Sequence, residues 1–306
     1  MKIARTLSIQ SKKRTAIAVG YFDGVHLGHR AVIDDMLSFA KQGLETVVFS
    51  FETNGSAPSS KTGASLLQSP QQKINSLEAL GVDWLLIPKF TLFMGLTPEQ
   101  FAHDFLLGSL KAQVVCCGYD YKFGRGASAG PDELEELLAP ANVQVRKISA
   151  VINDGNPISS TRIRAALSAG DIKTANRLLG RPFSIDFPVE KGRGFGKTLG
   201  FPTANQKIGD QYIKPLFGVY ATRVTIDGKS YPAVTNVGIR PTVGSDSVLA
   251  ETFIDGWSGD LYSKQIETQF IEFIRKEQQF PSIEELKKAI EHDYLTAMNL
   301  LSNFEK

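Results

Sequence analysis

Residues 20–29, Gly-Tyr-Phe-Asp-Gly-Val-His-Leu-Gly-His, hold two of the four histidines in the chain, His26 and His29, set among three glycines. Two imidazoles separated by two residues can face one phosphate group. Gly20, Gly24 and Gly28 let the backbone approach a ligand closely. A helix starting after the loop would add free N–H groups and the positive end of its dipole, an anion site. Phe22 and Asp23 complete the segment. The bland alternative is that Asp23 caps a turn and the histidines are solvated.

Three further groups could do chemistry. In Ile158-Ser-Ser-Thr-Arg-Ile-Arg164, Ser159, Ser160 and Thr161 stand at an expected helix start, and Arg164 offers a planar fork to phosphate oxygens; otherwise this is a capping segment with a loose arginine. Lys191-Gly-Arg-Gly-Phe-Gly-Lys-Thr198 ends like a Walker A loop, but the first glycine of that motif would fall on Lys191, and Leu199-Gly-Phe-Pro interrupts any following helix. Gly192, Gly194, Gly196 and Lys197 therefore suit a mobile flap over phosphates between strands. In the adjoining Gly200-Phe-Pro-Thr-Ala-Asn205, Thr203 and Asn205 are hard, neutral oxygen donors suited to Mg²⁺, or else part of a proline turn with an Asx cap. Glu251, alone on an expected strand, reads either as a general base or as a solvated surface carboxylate.

Such groups need rigid elements behind them. Residues 14–179 alternate apolar strand-like runs (14–20, 46–51, 82–88, 112–118, 143–148) with helical periodicities (29–42, 70–80, 97–107, 131–138, 160–168, 172–179). Nearly uniform apolar strands between helices predict an α/β doubly wound parallel sheet, whose ligands bind at the carboxyl ends of the strands. After Phe183 the strands (218–226, 231–237, 249–254, 265–275) lack intervening helices. Asp227-Gly228 marks a hairpin, and residues 282–300 close the chain as an amphipathic helix. A mainly antiparallel β-barrel with a terminal helix is expected there. The boundary falls in the linker Gly180-Arg-Pro-Phe183, giving domains 1–183 and 184–306, a division that suits a chain of 306 residues.

Composition narrows the partners. With 34 Lys+Arg against 32 Asp+Glu, net charge +2, there is no bulk field for nucleic acid or an anionic membrane. No apolar run approaches the roughly 20 residues of a membrane span, and the N-terminus lacks a secretion signal. The only cysteines are the adjacent Cys116 and Cys117 in a strand-like run, which excludes a disulfide framework and fits a reducing cytoplasm. Self-association is left open.

The loop at 20–29 resembles the His-x-Gly-His signature of the nucleotidyltransferase superfamily, in the Gly-x-Phe-Asp-Gly-Val-His-x-Gly-His form found in prokaryotic FAD synthetases. Ser159–Arg164 resembles that superfamily's Ser-Ser-Thr-x-Ile-Arg motif. Cys117-Gly-Tyr-Asp-Tyr-Lys-Phe-Gly124 resembles a segment at the flavin end of the site, which would put Asp120 there unless it is a loop carboxylate without a role. Two departures stand out: Tyr21 occupies a position usually Asn, and Phe51-Glu-Thr-Asn-Gly-Ser replaces a Phe-x-Pro-His-Pro segment.

In the second half, Gly200–Asn205 with the preceding glycines resembles the riboflavin kinase signature. Gly218-Val-Tyr220 resembles a nucleotide-contacting strand, Asn236-Val-Gly-Ile-Arg240-Pro-Thr a flavin-proximal segment, and Glu251-Thr-Phe-Ile with Gly259-Asp-Leu-Tyr262 the strand of the catalytic Glu and its adjacent loop. Phe253 replaces a His common in the family. The resemblance to bifunctional riboflavin kinase/FAD synthetases spans about residues 14–295. It implies riboflavin + ATP → FMN + ADP, then FMN + ATP → FAD + pyrophosphate, with Mg²⁺ as cofactor and Glu251, His26 and His29 as the catalytic groups. A kinase with weakened or altered adenylylation, or a flavin-binding regulator without turnover, are the alternatives.

Overall fold

The computed structural model describes residues 1–52, 64–192, 195–242 and 245–304, with backbone alone at 195, 240–242, 245–246 and 304. The chain divides into two compact units, Met1–Ala64 with Pro70–Ser159, and Ser65–Ser69 with Ser160–Lys306.

The first unit is built on a six-stranded parallel sheet in the order β1-β4-β3-β2-β5-β6, from β1 (Lys2–Ala4), β2 (Thr15–Val19), β3 (Glu45–Phe49), β4 (Trp84–Leu86), β5 (Ala112–Gly118) and β6 (Gln144–Ile148). Alternate strand residues enter two different cores. Ile17, Val19, Val47 and Phe49 meet Phe101, Phe105 and Leu106, whereas Ala16, Ala18 and Val48 meet Val32, Ile33 and Met36 of α1 (Leu27–Ser38). Helices thus cover both faces, as strands apolar on both sides require. The helix expected at 97–107 is a π-helix, Gln100–Ser109. Besides short 3-10 turns, this unit also has α2 (Pro70–Ala79), α3 (Pro131–Leu138) and a small hairpin, β7 (Ile152–Asn153) with β8 (Asn156–Pro157). Because the sheet is parallel, the loops after β2, β3 and β5 leave from one edge. Val19 pairs with Cys117, so Gly20 and Gly118 emerge side by side there.

The second unit opens with α4 (Ser160–Ala169) and α5 (Ile172–Leu179). It continues through β9 (Phe183–Ile185), β10 (Val189–Glu190), the four-residue α6 (Phe195–Thr198), β11 (Thr203–Ile208), β12 (Gly218–Ile226), β13 (Lys229–Thr242), β14 (Ser245–Ile254), β15 (Glu267–Lys276) and α7 (Ile283–Phe304). Its seven strands form an antiparallel sheet in the order β10-β11-β14-β13-β12-β15-β9. β9 and β10 lie at opposite edges although only residues 186–188 separate them, so the sheet must curl into a half-barrel. Ile226 pairs with Lys229 across a two-residue turn in which Asp227 (φ 49°) and Gly228 (φ 78°) are both left-handed, the geometry that matches strand twist. The concave face carries Thr222, Thr235 and Thr252, linked hydroxyl to hydroxyl at 2.8 and 2.9 Å. α7 packs on the other face, with Ala297 and Leu301 against Ala221 and Ile271.

Candidate active sites

The register of the half-barrel lines up one row of side chains across five strands. Asn205 of β11 pairs with Glu251 of β14, Glu251 with Asn236 of β13, Asn236 with Val219 of β12, and Val219 with Arg275 of β15. Two residues along, Thr203, Phe253 and Val234 form a second row on the same face, since strand side chains repeat every second position. All eight line one cavity of about 710 Å³, within the usual size of ligand pockets. α7 closes it with Leu286, Ile290, Asp293 and Tyr294, which share a helical face, and the α6 segment supplies Gly196, Thr198, Leu199 and Phe201.

The walls are chemically divided. Phe201, Phe253 and Tyr294 form a cluster of rings 5.1–6.4 Å apart, an apolar surface suited to a flat heteroaromatic ligand. Thr203, Asn205, Asn236 and Glu251 supply the oxygens. Asn205 donates from Nδ2 to the Thr203 carbonyl at 3.2 Å, which presents Oδ1 as the acceptor. A Cβ at Gly192 would lie 2.5 Å from Asn205 Nδ2, and one at Gly196 2.4 Å from the Phe201 carbonyl oxygen, so these two glycines permit the close approach. Lys197 is exposed at the end of α6. Tyr220 is fully buried between Phe270 and Phe273 with its hydroxyl on the Leu216 carbonyl, and its ring belongs to the core; its neighbour Val219 is the residue that reaches the cavity. At Gly218 (φ 152°) a Cβ would sit 2.2 Å from the Arg275 carbonyl oxygen. Gly194 and the Arg240 side chain lie outside the described residues.

Arg275 holds Asp293 in a two-pronged ion pair (2.8 and 2.6 Å) that ties β15 to α7 across the cavity. Asp293 is 3% exposed. Losing one carboxylate oxygen in Asp293→Asn leaves the guanidinium poorly paired; because Arg275 keeps some solvent contact, the cost should be roughly 2–3 kcal/mol, just below the range for fully buried pairs. Chemical denaturation would measure it, with a raised KM for the cavity's substrate.

In the first unit, the loop after β2 is anchored by Gly20 N–H to the Phe49 carbonyl (3.1 Å) and enters α1 through His26, whose Nδ1 caps the helix by accepting from His29 N–H at 3.2 Å. The two imidazoles stack 3.6 Å apart, and Phe22 meets His29 edge-on at 5.3 Å. Phe22, Asp23 and His26 are buried. Phe22 (φ 53°) and Val25 (φ 40°) take left-handed backbone that side chains other than glycine adopt only at a cost, severe for a β-branched residue. Asp120 is exposed just beyond β5, at the same sheet edge. Ser159 ends the first unit, while Ser160, Thr161 and Arg164 belong to α4 in the second, where Arg164 donates to the Ser65 carbonyl at 2.6 Å.

Both sequence departures meet a residue that motif spacing did not mark. Tyr21 stacks on Phe51 at 4.8 Å, and Lys73 of α2 lies over the Tyr21 ring at 4.6 Å. Lys73 Nζ donates to the Tyr21 carbonyl (2.8 Å) and to Ser50 Oγ (3.1 Å), and Ser50 Oγ donates to the same carbonyl (2.8 Å). Asn54, in the second departure, lies outside the described residues.

Burial lowers the Lys73 pKa from 10.5 to about 8, opposed in part by Asp23 and Glu52. A lysine whose folded pKa lies below its unfolded one costs stability in full below the folded value, and the cost fades as pH rises through 8 to 10.5. The shift corresponds to roughly 3 kcal/mol. Lys73→Met should therefore melt above wild type at pH 7, with the gap narrowing towards pH 10, as followed by calorimetry.

The first unit thus has a nucleotidyltransferase-like fold with its histidine loop at the carboxyl ends of the parallel strands, and the second is a half-barrel with a carboxylate-bearing cavity. A family model described as riboflavin kinase matches residues 179–301, and one described as FAD synthetase matches residues 8–162. Proteins of Bacillus subtilis (strain 168) and Escherichia coli (strain K12), each named bifunctional riboflavin kinase/FMN adenylyltransferase, are both 34% identical to the chain; the matches cover 97% of it and 96% and 97% of theirs. A crystal structure from Streptococcus pneumoniae, described as a macrolide-efflux protein, superposes with a TM-score of 0.86 and 26% identity over 97% of this chain and 98% of that one. Among the described residues, no helix is long and apolar enough to cross a membrane. The chain belongs to the bifunctional riboflavin kinase/FAD synthetase family.

Proposed function

We propose that the cavity of the second unit phosphorylates riboflavin and that the loop at 20–29 is the centre of FMN adenylylation, with ATP the co-substrate of both. One observation carries the kinase assignment: Glu251 stands between Asn205 and Asn236 on one row facing a ring-lined cavity. Riboflavin's 5′-hydroxyl is a neutral alcohol, so it must lose its proton as its oxygen bonds to the γ-phosphorus and the bond to ADP breaks. Glu251 accepts that proton. The aromatic cluster takes the flavin ring, with Asn236 on its polar side; Gly192, Gly196 and Lys197 cover the nucleotide, with the strand at Gly218–Tyr220 beside it, and the family resemblance adds Arg240 to the flavin contacts and Gly194 to the nucleotide contacts.

Thr203 and Asn205 fit Mg²⁺. They are neutral oxygen donors, and among the described residues no cluster of His, Cys, Asp or Glu forms a cage of its own, so the ion would be shared with ATP phosphates. When bound, it offsets phosphate charge.

For adenylylation the FMN phosphate is already anionic and needs no base. Its oxygen bonds to the α-phosphorus while the bond to pyrophosphate breaks. His26 and His29, with the α1 terminus, stabilise the charge moving onto pyrophosphate. The family resemblance assigns Ser159, Ser160, Thr161 and Arg164 to the nucleotide, and Asp120 to the flavin. This reading divides the chain functionally into 1–183 and 184–306. It places the enzyme in the cytoplasm, without nucleic-acid partners. ATP labelled at the γ-phosphate should pass its label to FMN, and ATP labelled at the α-phosphate should label FAD but not FMN. Label from the γ-position in neither flavin would refute the kinase assignment.

A further inference from the structure

The loop at 20–29 is held in a shape its own residues disfavour. Phe22 and Val25 are both left-handed, and Phe22 directly follows the residue whose carbonyl and ring Lys73 engages. Strained backbone persists only where surrounding contacts over-determine it. A buried ammonium is a costly way to supply such a contact: Lys73 is 7% exposed, and a methionine would fill α2 without the charge. Cost without structural need is the mark of a group kept for function.

We propose that Lys73 is a positioning residue for FMN adenylylation: its ammonium, with Ser50, clamps the Tyr21 carbonyl and ring and thereby fixes the strained loop that presents His26 and His29. The clamp replaces nothing in the sequence motifs. It acts on Tyr21, and through Tyr21 on the loop, without being placed on the substrate. The proposal rests on reading the loop as the adenylylation site. Asp23 and Glu52, the latter paired with Arg5, are the charged groups facing the ammonium and hold it protonated against its burial.

The test uses full-length enzyme carrying Lys73→Met, Lys73→Arg or Ser50→Ala, with riboflavin phosphorylation on the same chain as the internal control. Lys73→Met should lower kcat for FMN adenylylation about a hundredfold, the scale of an ångström-sized misplacement, while KM for FMN and ATP changes far less. Ser50→Ala should show a smaller loss of the same kind, Lys73→Arg should restore part of the rate, and phosphorylation should be unchanged in all three. The wild-type adenylylation rate should fall on a limb centred near pH 8 that Lys73→Met lacks. Wild-type adenylylation in both Lys73→Met and Ser50→Ala, or a loss confined to KM, would overturn the clamp. If Lys73→Met does not fold, Ser50→Ala decides alone. His29→Ala and His26→Ala separate the two layers: if both retain adenylylation, the loop reading itself fails; if they lose adenylylation while the clamp variants do not, only the clamp fails.

Discussion

Replacing Glu251 with alanine is expected to lower riboflavin phosphorylation about a thousandfold, in the middle of the range for a lost general base, while FMN adenylylation continues at the wild-type rate. Glu251 is partly exposed to the cavity, and its backbone pairs with β11 and β13 whatever its side chain. The truncation therefore removes chemistry and spares the sheet. The loss should appear in kcat, since the ring cluster of Phe201, Phe253 and Tyr294, proposed to receive the flavin, is left intact. Glu251→Gln should be nearly as slow, because the amide keeps the shape but cannot take the proton. Steady-state assays with riboflavin and, separately, with FMN as the starting flavin measure both halves. Equal loss of the two activities in a folded variant would contradict the two-site account.

His29→Ala should do the reverse, lowering FAD formation by about a hundred- to a thousandfold, the usual cost of one lost donor to developing charge, with phosphorylation intact. The substitution spares the α1 cap because His29 takes part in it through its backbone N–H, which alanine retains; the cap acceptor is the His26 side chain. His26→Ala removes an imidazole and a helix cap together, so it should also lower stability by about 1 kcal/mol. If His26→Ala impairs adenylylation and His29→Ala does not, the stacked pair does not work as a unit.

Much of this was legible in the residues. Strands apolar on both faces announced the parallel sheet, and the Asp227-Gly228 pair announced the β12–β13 hairpin because two left-handed residues in succession have few other uses. β1 escaped notice because three residues carry no period. The π-helix at Gln100–Ser109 has the apolar spacing of an ordinary helix, and its widened turns are decided by packing. Single positions were harder. The row Asn205–Glu251–Asn236–Val219–Arg275 joins five strands distant in sequence, and register is a property of pairing that spacing within one strand cannot show. For the same reason Gly218-Val-Tyr220 was readable as strand, but not that Val219 faces the cavity while Tyr220 enters the core. α7 was readable as amphipathic, though not that Asp293 and Tyr294 would roof a cavity. Lys73 was the least legible of all: a lysine in a helix is normally solvated, and only the fold reveals that this one is enclosed by Tyr21 and Ser50.

One chain is proposed to perform both steps at separate sites. The most direct measurement is a time course of purified protein with riboflavin, ATP and Mg²⁺, with flavins and nucleotides resolved by chromatography. FMN should appear first with ADP, and FAD should then accumulate at its expense with pyrophosphate. FMN that never becomes FAD would contradict the adenylylation site, and unchanged riboflavin would contradict both.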